Sequence, residues 1–250
     1  MLEVKEITCV FGGLIALDKV SFSLRQGEIT GVIGPNGAGK TTLFNIVSGI
    51  YRRTSGQVFF NGRDISGLSP DRLARLGLVR TFQNIELFGQ MTVLENVMVG
   101  LHTKSHCGIF SCALKLPWHL AEERRIRSRA LELLDYVGIP ELAAQSAASL
   151  PFGKGRLLEI ARALALEPQL MLMDEPAAGL NSRETWELGE LIRKIRALGV
   201  TVVLVEHDME LVMDVCDAIV VLNLGQKLAA GTPRQIQDNA AVIAAYLGEG

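Results

Sequence analysis

No apolar run in this 250-residue sequence is long enough to cross a bilayer. The longest, Ala240 to Leu247, has eight residues, against the roughly 20 that a spanning helix needs. The Leu170–Met173 run stops at Asp174 and Val200–Val205 stops at Glu206; runs of this length suit buried strands. Glu3, Lys5 and Glu6 break up the first ten residues, so no signal segment is expected. The expectation is a cytoplasmic chain without direct membrane insertion, meeting a membrane only through a partner. The four cysteines, Cys9, Cys107, Cys112 and Cys216, lack zinc spacing and read as free thiols. Basic residues are dispersed and the formal net charge is -2, which speaks against a nucleic-acid partner. Internal repeats and low-complexity linkers are missing too.

With 48% hydrophobic and 21% charged residues, the chain has a globular composition and is long enough for one sizeable domain with a subdomain. Apolar stretches at Val4–Val10 and Val20–Leu24, separated by Gly12-Gly13, read as strands, and Ile29–Ile33 as a third. Thr42–Ile50 reads as a helix, with Leu43, Phe44, Ile46, Val47 and Ile50 on one face. Short strands are expected at Val58–Phe60 and Leu78–Thr81, and then a mostly helical stretch from Thr92 to Leu166. There Ile126, Ala130, Leu133, Leu134 and Val137 mark a buried face, opposite the solvated charges of Glu122, Glu123, Arg124, Arg125, Arg127 and Arg129. Strands return at Leu170–Met173, Thr201–Val205 and Ala218–Leu222, with a helix striped by Leu188, Leu191, Ile192, Ile195 and Leu198 between the first two. Alternating strands and helices imply an α/β fold with a largely parallel sheet.

Gly34-Pro35-Asn36-Gly37-Ala38-Gly39-Lys40-Thr41 follows a strand and opens a helix. Its pattern is that of a phosphate-binding loop. Glycines let successive backbone N–H groups face inward, and the helix start adds positive potential. The nucleotide-binding candidates are therefore Asn36, Gly37, Ala38, Gly39, Lys40, Thr41 and Thr42. Lys40 would meet the β- and γ-phosphates, and the Thr41 hydroxyl a magnesium ion. Leu170–Met173 ends in Asp174-Glu175, which places two acids at the carboxyl edge of a sheet, where such folds bind ligands. Asp174 would support magnesium, directly or through water, and Glu175 would polarise the attacking water. These residues specify an ATPase or a GTPase; the N/T-K-x-D guanine reader is lacking.

Three further features lie in order along the chain: Gln83 after a short strand, Leu150-Pro151-Phe152-Gly153-Lys154-Gly155-Arg156 leading into a helix, and His207 after another strand. Together with the loop and the acid pair, they resemble the ABC ATPase family across almost the whole chain. The resemblance implies a P-loop NTPase (RecA-like) core with a mainly parallel sheet, an N-terminal antiparallel β region and an inserted α-helical subdomain. It implies a single ABC-type ATP-binding domain, with the nucleotide core at 1–90 and 167–250 and the helical subdomain at about 91–166. By resemblance Gln83 sits between the metal and the membrane-domain docking surface, His207 contacts the γ-phosphate, and Phe11 stacks on adenine. Pro151, Phe152, Gly153 and Lys154 cap the ATP of a second subunit, and Asn181 belongs to a dimer-communicating loop where most members carry Asp. The usual capping sequence is Leu-Ser-Gly-Gly-Gln; here Pro151, Phe152 and Lys154 depart from it, and Pro151 removes a hydroxyl and a backbone N–H that could bond the γ-phosphate.

Phe11–Leu17, Thr81–Phe88, Asp174–Asn181, Glu206–Met209 and the tail from Gly231 to Gly248 are similar to one branch of the family, the ATPases of branched-chain amino acid importers. Thr103–Leu120 has the length of that branch's insertion. The branch implies ATP and Mg2+ as ligands, a related or identical second ATPase, transmembrane permease subunits and, indirectly, a solute-binding protein. It places the chain peripherally on the inner face of the membrane. A urea or amide importer, a lipid or lipopolysaccharide exporter and a non-transport mechanical ATPase remain open at this point.

Overall fold

The computed structural model describes residues 1–82, 86–102 and 117–247. They fall into two compact units, Met1–Gln83 with Gln169–Gly250, and Asn84–Pro168.

The first unit begins with β1 (Leu2–Phe11) and β2 (Leu14–Leu24), a hairpin over Gly12-Gly13, and continues with β3 (Ile29–Ile33) and α1 (Lys40–Val47). Next come β4 (Ser55–Phe60), β5 (Arg63–Asp64), α2 (Pro70–Arg75) and β6 (Leu78–Arg80). The second unit follows with α3 (Val93–His102), α4 (Pro117–Tyr136) and α5 (Phe152–Leu164). The chain then returns to the first unit with β7 (Leu170–Asp174), α6 (Ser182–Ala197), β8 (Thr201–Val205), α7 (Met209–Val215), β9 (Ala218–Asn223), β10 (Gln226–Gly231), α8 (Pro233–Gln237) and α9 (Ala240–Leu247).

Two sheets build the first unit. An antiparallel sheet has the order β2-β1-β4-β5, and a six-stranded sheet the order β10-β9-β3-β8-β7-β6. In the larger sheet β9, β3, β8, β7 and β6 run parallel and β10 pairs antiparallel at the edge. Every residue of β3, β7 and β8 is buried, as expected for central parallel strands covered on both faces. This α/β architecture, with a parallel sheet, an antiparallel N-terminal sheet and an inserted helical unit, agrees with the expected fold class. The parallel strands deliver Gly34, Glu175 and Glu206 to the same sheet edge, because β3, β7 and β8 are neighbours in register.

Several boundaries differ from expectation. α1 begins at Lys40 and ends at Val47, so Ile50 lies past its end and is 43% exposed, outside the buried stripe. β2 starts at Leu14, six residues before the expected Val20. The apolar run at Ala240–Leu247 is a helix; four of its eight residues are alanine, the strongest helix former. In α6 the stripe of Leu188, Leu191, Ile192 and Ile195 is buried, but Leu198 is the C-cap and 60% exposed.

In the second unit, Ile126, Ala130, Leu133 and Leu134 of α4 and Val137 just beyond it are buried, as the periodicity predicts. Thr92 and Glu95 form a reciprocal capping pair at the start of α3: Glu95 N donates to Thr92 Oγ1 at 3.2 Å and Thr92 N to Glu95 Oε2 at 2.7 Å. The buried Asn96 side chain donates to the carbonyls of Phe88 and Thr92 and accepts from Phe88 N.

Candidate nucleotide site

The turn from β3 into α1 is built for close backbone approach. Gly34 (φ 150°) and Gly39 (φ 100°) adopt backbone angles that L side chains rarely reach. A Cβ on Gly34 would run into the carbonyl oxygen of Leu222, and one on Gly39 would lie 2.7 Å from Ala16 O. The loop is tied to its neighbours through Gly225, whose N–H donates to Ala38 O at 3.1 Å while its carbonyl accepts from Asp18 N at 2.8 Å. Gly39 is the N-cap of α1 without a side-chain cap bond, and the first turn carries no acid. Its amides and the positive end of the helix are thus uncancelled by a carboxylate, an environment that favours an anion. Lys40 is buried, and its Nζ donates to Gly34 O at 2.5 Å and Pro35 O at 2.9 Å.

An open cavity of about 380 Å³ lies over this loop. Residues 36–42 form its floor, Phe11, Leu14, Ile15 and Ala16 an apolar wall, and Glu175 and His207 the remaining side. A polar floor rich in amides beside an apolar wall suits a ligand with a phosphate end and a flat, weakly polar end. Phe11 is 45% exposed and meets Tyr51 edge-on, with ring centroids 5.6 Å apart.

Asp174 closes β7, and Glu175 follows with φ 47°, a left-handed backbone unusual for a non-glycine residue. Such strain persists where surrounding bonds over-determine it; here Glu175 N donates to Val205 O at 2.9 Å. Glu175 Oε1 and His207 Nε2 are 2.7 Å apart, with the Glu175 side chain 16% and the His207 ring 48% exposed. A carboxylate and an imidazole in contact at a cavity wall can hold and orient a proton-bearing reactant.

Sequence reasoning missed two residues behind this pair. Arg80 of β6 donates to Asp174 Oδ2, Asn45 Oδ1 and Ser48 Oγ, joining β7 to α1. Glu206, buried at the end of β8, accepts from the backbone amides of Ala177, His207 and Asp208. Burial pushes the Glu206 carboxyl above the usual range, while those three amides pull it back down. A glutamate directly before the candidate His207 was the only signal, and it gave no hint of a buried role.

Gln83 is outside the described residues, as are Cys107 and Cys112. Cys9 and Cys216 are buried free thiols. Pro151, Phe152, Gly153 and Lys154 belong to the second unit, at the N-terminus of α5, where Pro151 is the N-cap. Asn181 is the N-cap of α6: its Oδ1 accepts from Arg183 N and Glu184 N while Glu184 Oε2 accepts from Asn181 N, so a helix-capping role accounts for its polarity.

A parallel sheet with a glycine loop at one strand end and an acid pair at a neighbouring strand end defines the class of P-loop nucleoside triphosphatases. Residues 17–178 match the ABC transporter family, and residues 226–250 match the branched-chain amino acid ATP-binding cassette transporter family. The chain is 46% identical over 250 residues to the high-affinity branched-chain amino acid transport ATP-binding protein LivG of Salmonella typhimurium, covering 98% of that protein and 100% of this one. It is equally similar, 46% over 250 residues with the same coverage, to BraF of Pseudomonas aeruginosa, which carries the same description. A crystal structure of an ABC transporter ATP-binding cassette in its ADP conformation superposes with a TM-score of 0.86 at 32% identity, covering 99% of this chain and 98% of the other. The chain belongs to the ABC transporter family and is an ATP-hydrolysing, nucleotide-binding subunit that works with permease components. No helix among the described residues is long and apolar enough to cross a membrane.

Proposed function

We propose that this chain binds MgATP in the cavity over the Lys40 loop, hydrolyses it with Glu175 as general base, and energises uptake of branched-chain amino acids. The observation that carries the catalytic part is the meeting of residues 36–42, Glu175 and His207 around one cavity. The solute follows from the relatives LivG and BraF, each a branched-chain amino acid transport ATP-binding protein, and from the match of residues 226–250 to a branched-chain amino acid transporter family. The two units together are read as one ABC-type ATP-binding domain.

In this reading the amides of residues 36–42 and the Lys40 ammonium hold the phosphates, and Phe11 packs on the adenine. Glu175 accepts a proton from the attacking water, and His207 orients the γ-phosphate while steadying Glu175 through their 2.7 Å contact. Thr41, Asp174 and Gln83 offer hydroxyl, carboxylate and amide oxygens, the hard donors that suit magnesium. A magnesium ion held there would supply positive charge to offset that of the phosphates. Because Arg80 engages Oδ2 of Asp174, that acid would serve the ion through Oδ1 or through water. Pro151–Lys154 would reach the ATP of a second, related or identical ATPase, and Asn181 would sit in the loop between the two subunits. Permease subunits would hold the pair at the inner face of the membrane, with a solute-binding protein on the far side.

The test is co-purification with the permease subunits in liposomes, followed by ATPase assays. Glu175→Gln should lower turnover by about a hundredfold or more while ATP still binds, and Lys40→Ala should abolish binding. Parent-rate hydrolysis by Glu175→Gln removes the base assignment. Stimulation by urea or short amides, and none by leucine, isoleucine or valine, would reassign the solute.

A further inference from the structure

Glu206 belongs to none of the roles above, yet its carboxylate touches both loops that carry the reacting pair. One oxygen, Oε1, accepts from Ala177 N at 2.6 Å, two residues beyond Glu175. The other, Oε2, accepts from His207 N at 3.0 Å and Asp208 N at 3.4 Å. The residue is only 4% exposed. A buried carboxylate is costly unless its lone pairs are used, and here backbone amides from two different loops use them.

We propose that Glu206 is the positioning residue that sets the Glu175–His207 geometry, clasping the loop after β7 to the loop after β8. Glu175 sits between two attachments to the end of β8: its own N–H donates to Val205 O, and the N–H of Ala177 donates to Glu206 Oε1. These bonds bracket the strained φ of 47° at Glu175 and hold it against relaxation. On the other side the same carboxylate fixes the start of the His207 loop through its own backbone N–H. The distance between Glu175 Oε1 and His207 Nε2 is therefore governed from below by one side chain. Backbone amides oriented before the reaction cost no reorganisation during it. A neutral amide cannot replace the carboxylate: in Glu206→Gln one terminal atom becomes an NH2 donor, which would face at least one loop's N–H with no acceptor to offer. The proposal rests on the reading of Glu175 as base.

The experiment measures single-turnover ATP hydrolysis, nucleotide Kd and Tm for Glu206→Gln, Glu206→Met, His207→Ala, Glu175→Gln and the Glu206→Gln/His207→Ala double variant, each in the assembled complex. Glu206→Gln should lower the rate about tenfold or more with nucleotide Kd within about twofold of the parent. In the His207→Ala background the same change should cost clearly less than in the parent, because only its hold on the Glu175 loop is then left to lose. A parent-like rate in Glu206→Gln overturns the proposal, as does weaker binding with an unchanged rate or a fully additive loss in the double variant. Failure of both Glu206 variants to fold also overturns it, since the carboxylate would then serve the core alone. A parent rate in Glu175→Gln would instead remove the underlying base assignment, whatever Glu206 does.

Discussion

Arg80 Nη2 donates to Asp174 Oδ2 at 2.5 Å, and each side chain is 6% exposed. The pair joins β6 to β7 inside the sheet, and Arg80 Nη1 reaches on to Asn45 and Ser48 on α1 and its end. The guanidinium lies over the rings of Phe44 and Phe82, 5.8 and 5.1 Å from their centroids. The acid proposed to serve magnesium is thus anchored by a cation from the neighbouring strand.

Arg80→Met should destabilise the chain by about 3–5 kcal/mol, because it leaves the Asp174 carboxylate buried without its partner. Urea titration checks this. The Arg80→Met/Asp174→Asn double variant should recover a substantial part of the loss, since the buried charge goes with its partner. Equal instability of single and double variants would show that packing, not the ion pair, sets the cost.

Two glycines of the phosphate loop should respond differently to alanine. Gly37 has φ 76° with nothing within 4 Å of an added Cβ, so Gly37→Ala carries backbone strain alone, about 1–2 kcal/mol. Gly39 combines φ 100° with contacts at 2.7 Å to both Ala16 O and Leu17 Cδ2. Gly39→Ala should lower the apparent Tm of the nucleotide-free chain clearly further than Gly37→Ala does. Equal shifts would mean that the loop yields to the clash.

The glycine loop and the acid pair were legible because their chemistry demands local spacing: consecutive amides in one turn, and two acids at the end of one apolar run. The buried faces of α4 and α6 were legible for a similar reason, through a period of 3.6 residues. Arg80 and Glu206 were not, because Asp174 and Ala177, the partners that tie them to the site, lie 94 and 29 residues away in sequence, and only the parallel register of β6, β7 and β8 brings them together. At Ala240–Leu247 the alanines, and not the hydrophobicity, decide for a helix. Leu14 and Ile15 were missed as cavity wall because a strand was expected to begin only at Val20, whereas β2 starts beside the cavity.

Cys216 should resist alkylation in the folded chain. Burial, with the nearby charges of Asp217 and Glu206, pushes its thiol from an ordinary 9.0 up to about 12. At pH 8 this leaves about a thousandfold less thiolate, the reactive form. The sign for stability follows: above pH 9 the unfolded chain releases a proton that the folded chain retains, so this group lowers stability from there toward pH 12. Iodoacetamide at pH 8 with peptide mapping should leave Cys216 unmodified until urea is added. Native-state labelling at the rate of an exposed thiol would contradict the buried placement.

The capping segment offers a substitution whose stability terms nearly cancel. Pro151 is the N-cap of α5 with φ -56° and ψ 149°, and its side chain makes no cap bond. A serine there can accept from an amide of the first turn, a gain of about 1 kcal/mol. Losing the proline ring frees the unfolded chain, a loss of about 0.4–1 kcal/mol. Pro151→Ser should therefore leave the Tm almost unchanged, and any change in turnover reports on function instead of folding. Because the segment is proposed to cap the partner's ATP, the ATP affinity of this subunit's own Lys40 loop should stay at the parent value. Turnover of the assembled ATPase pair should change, since the serine restores a hydroxyl to the segment proposed to face the partner's ATP. Unchanged turnover in the complete transporter, with both ATPases loaded, would remove Pro151–Lys154 from the capping role.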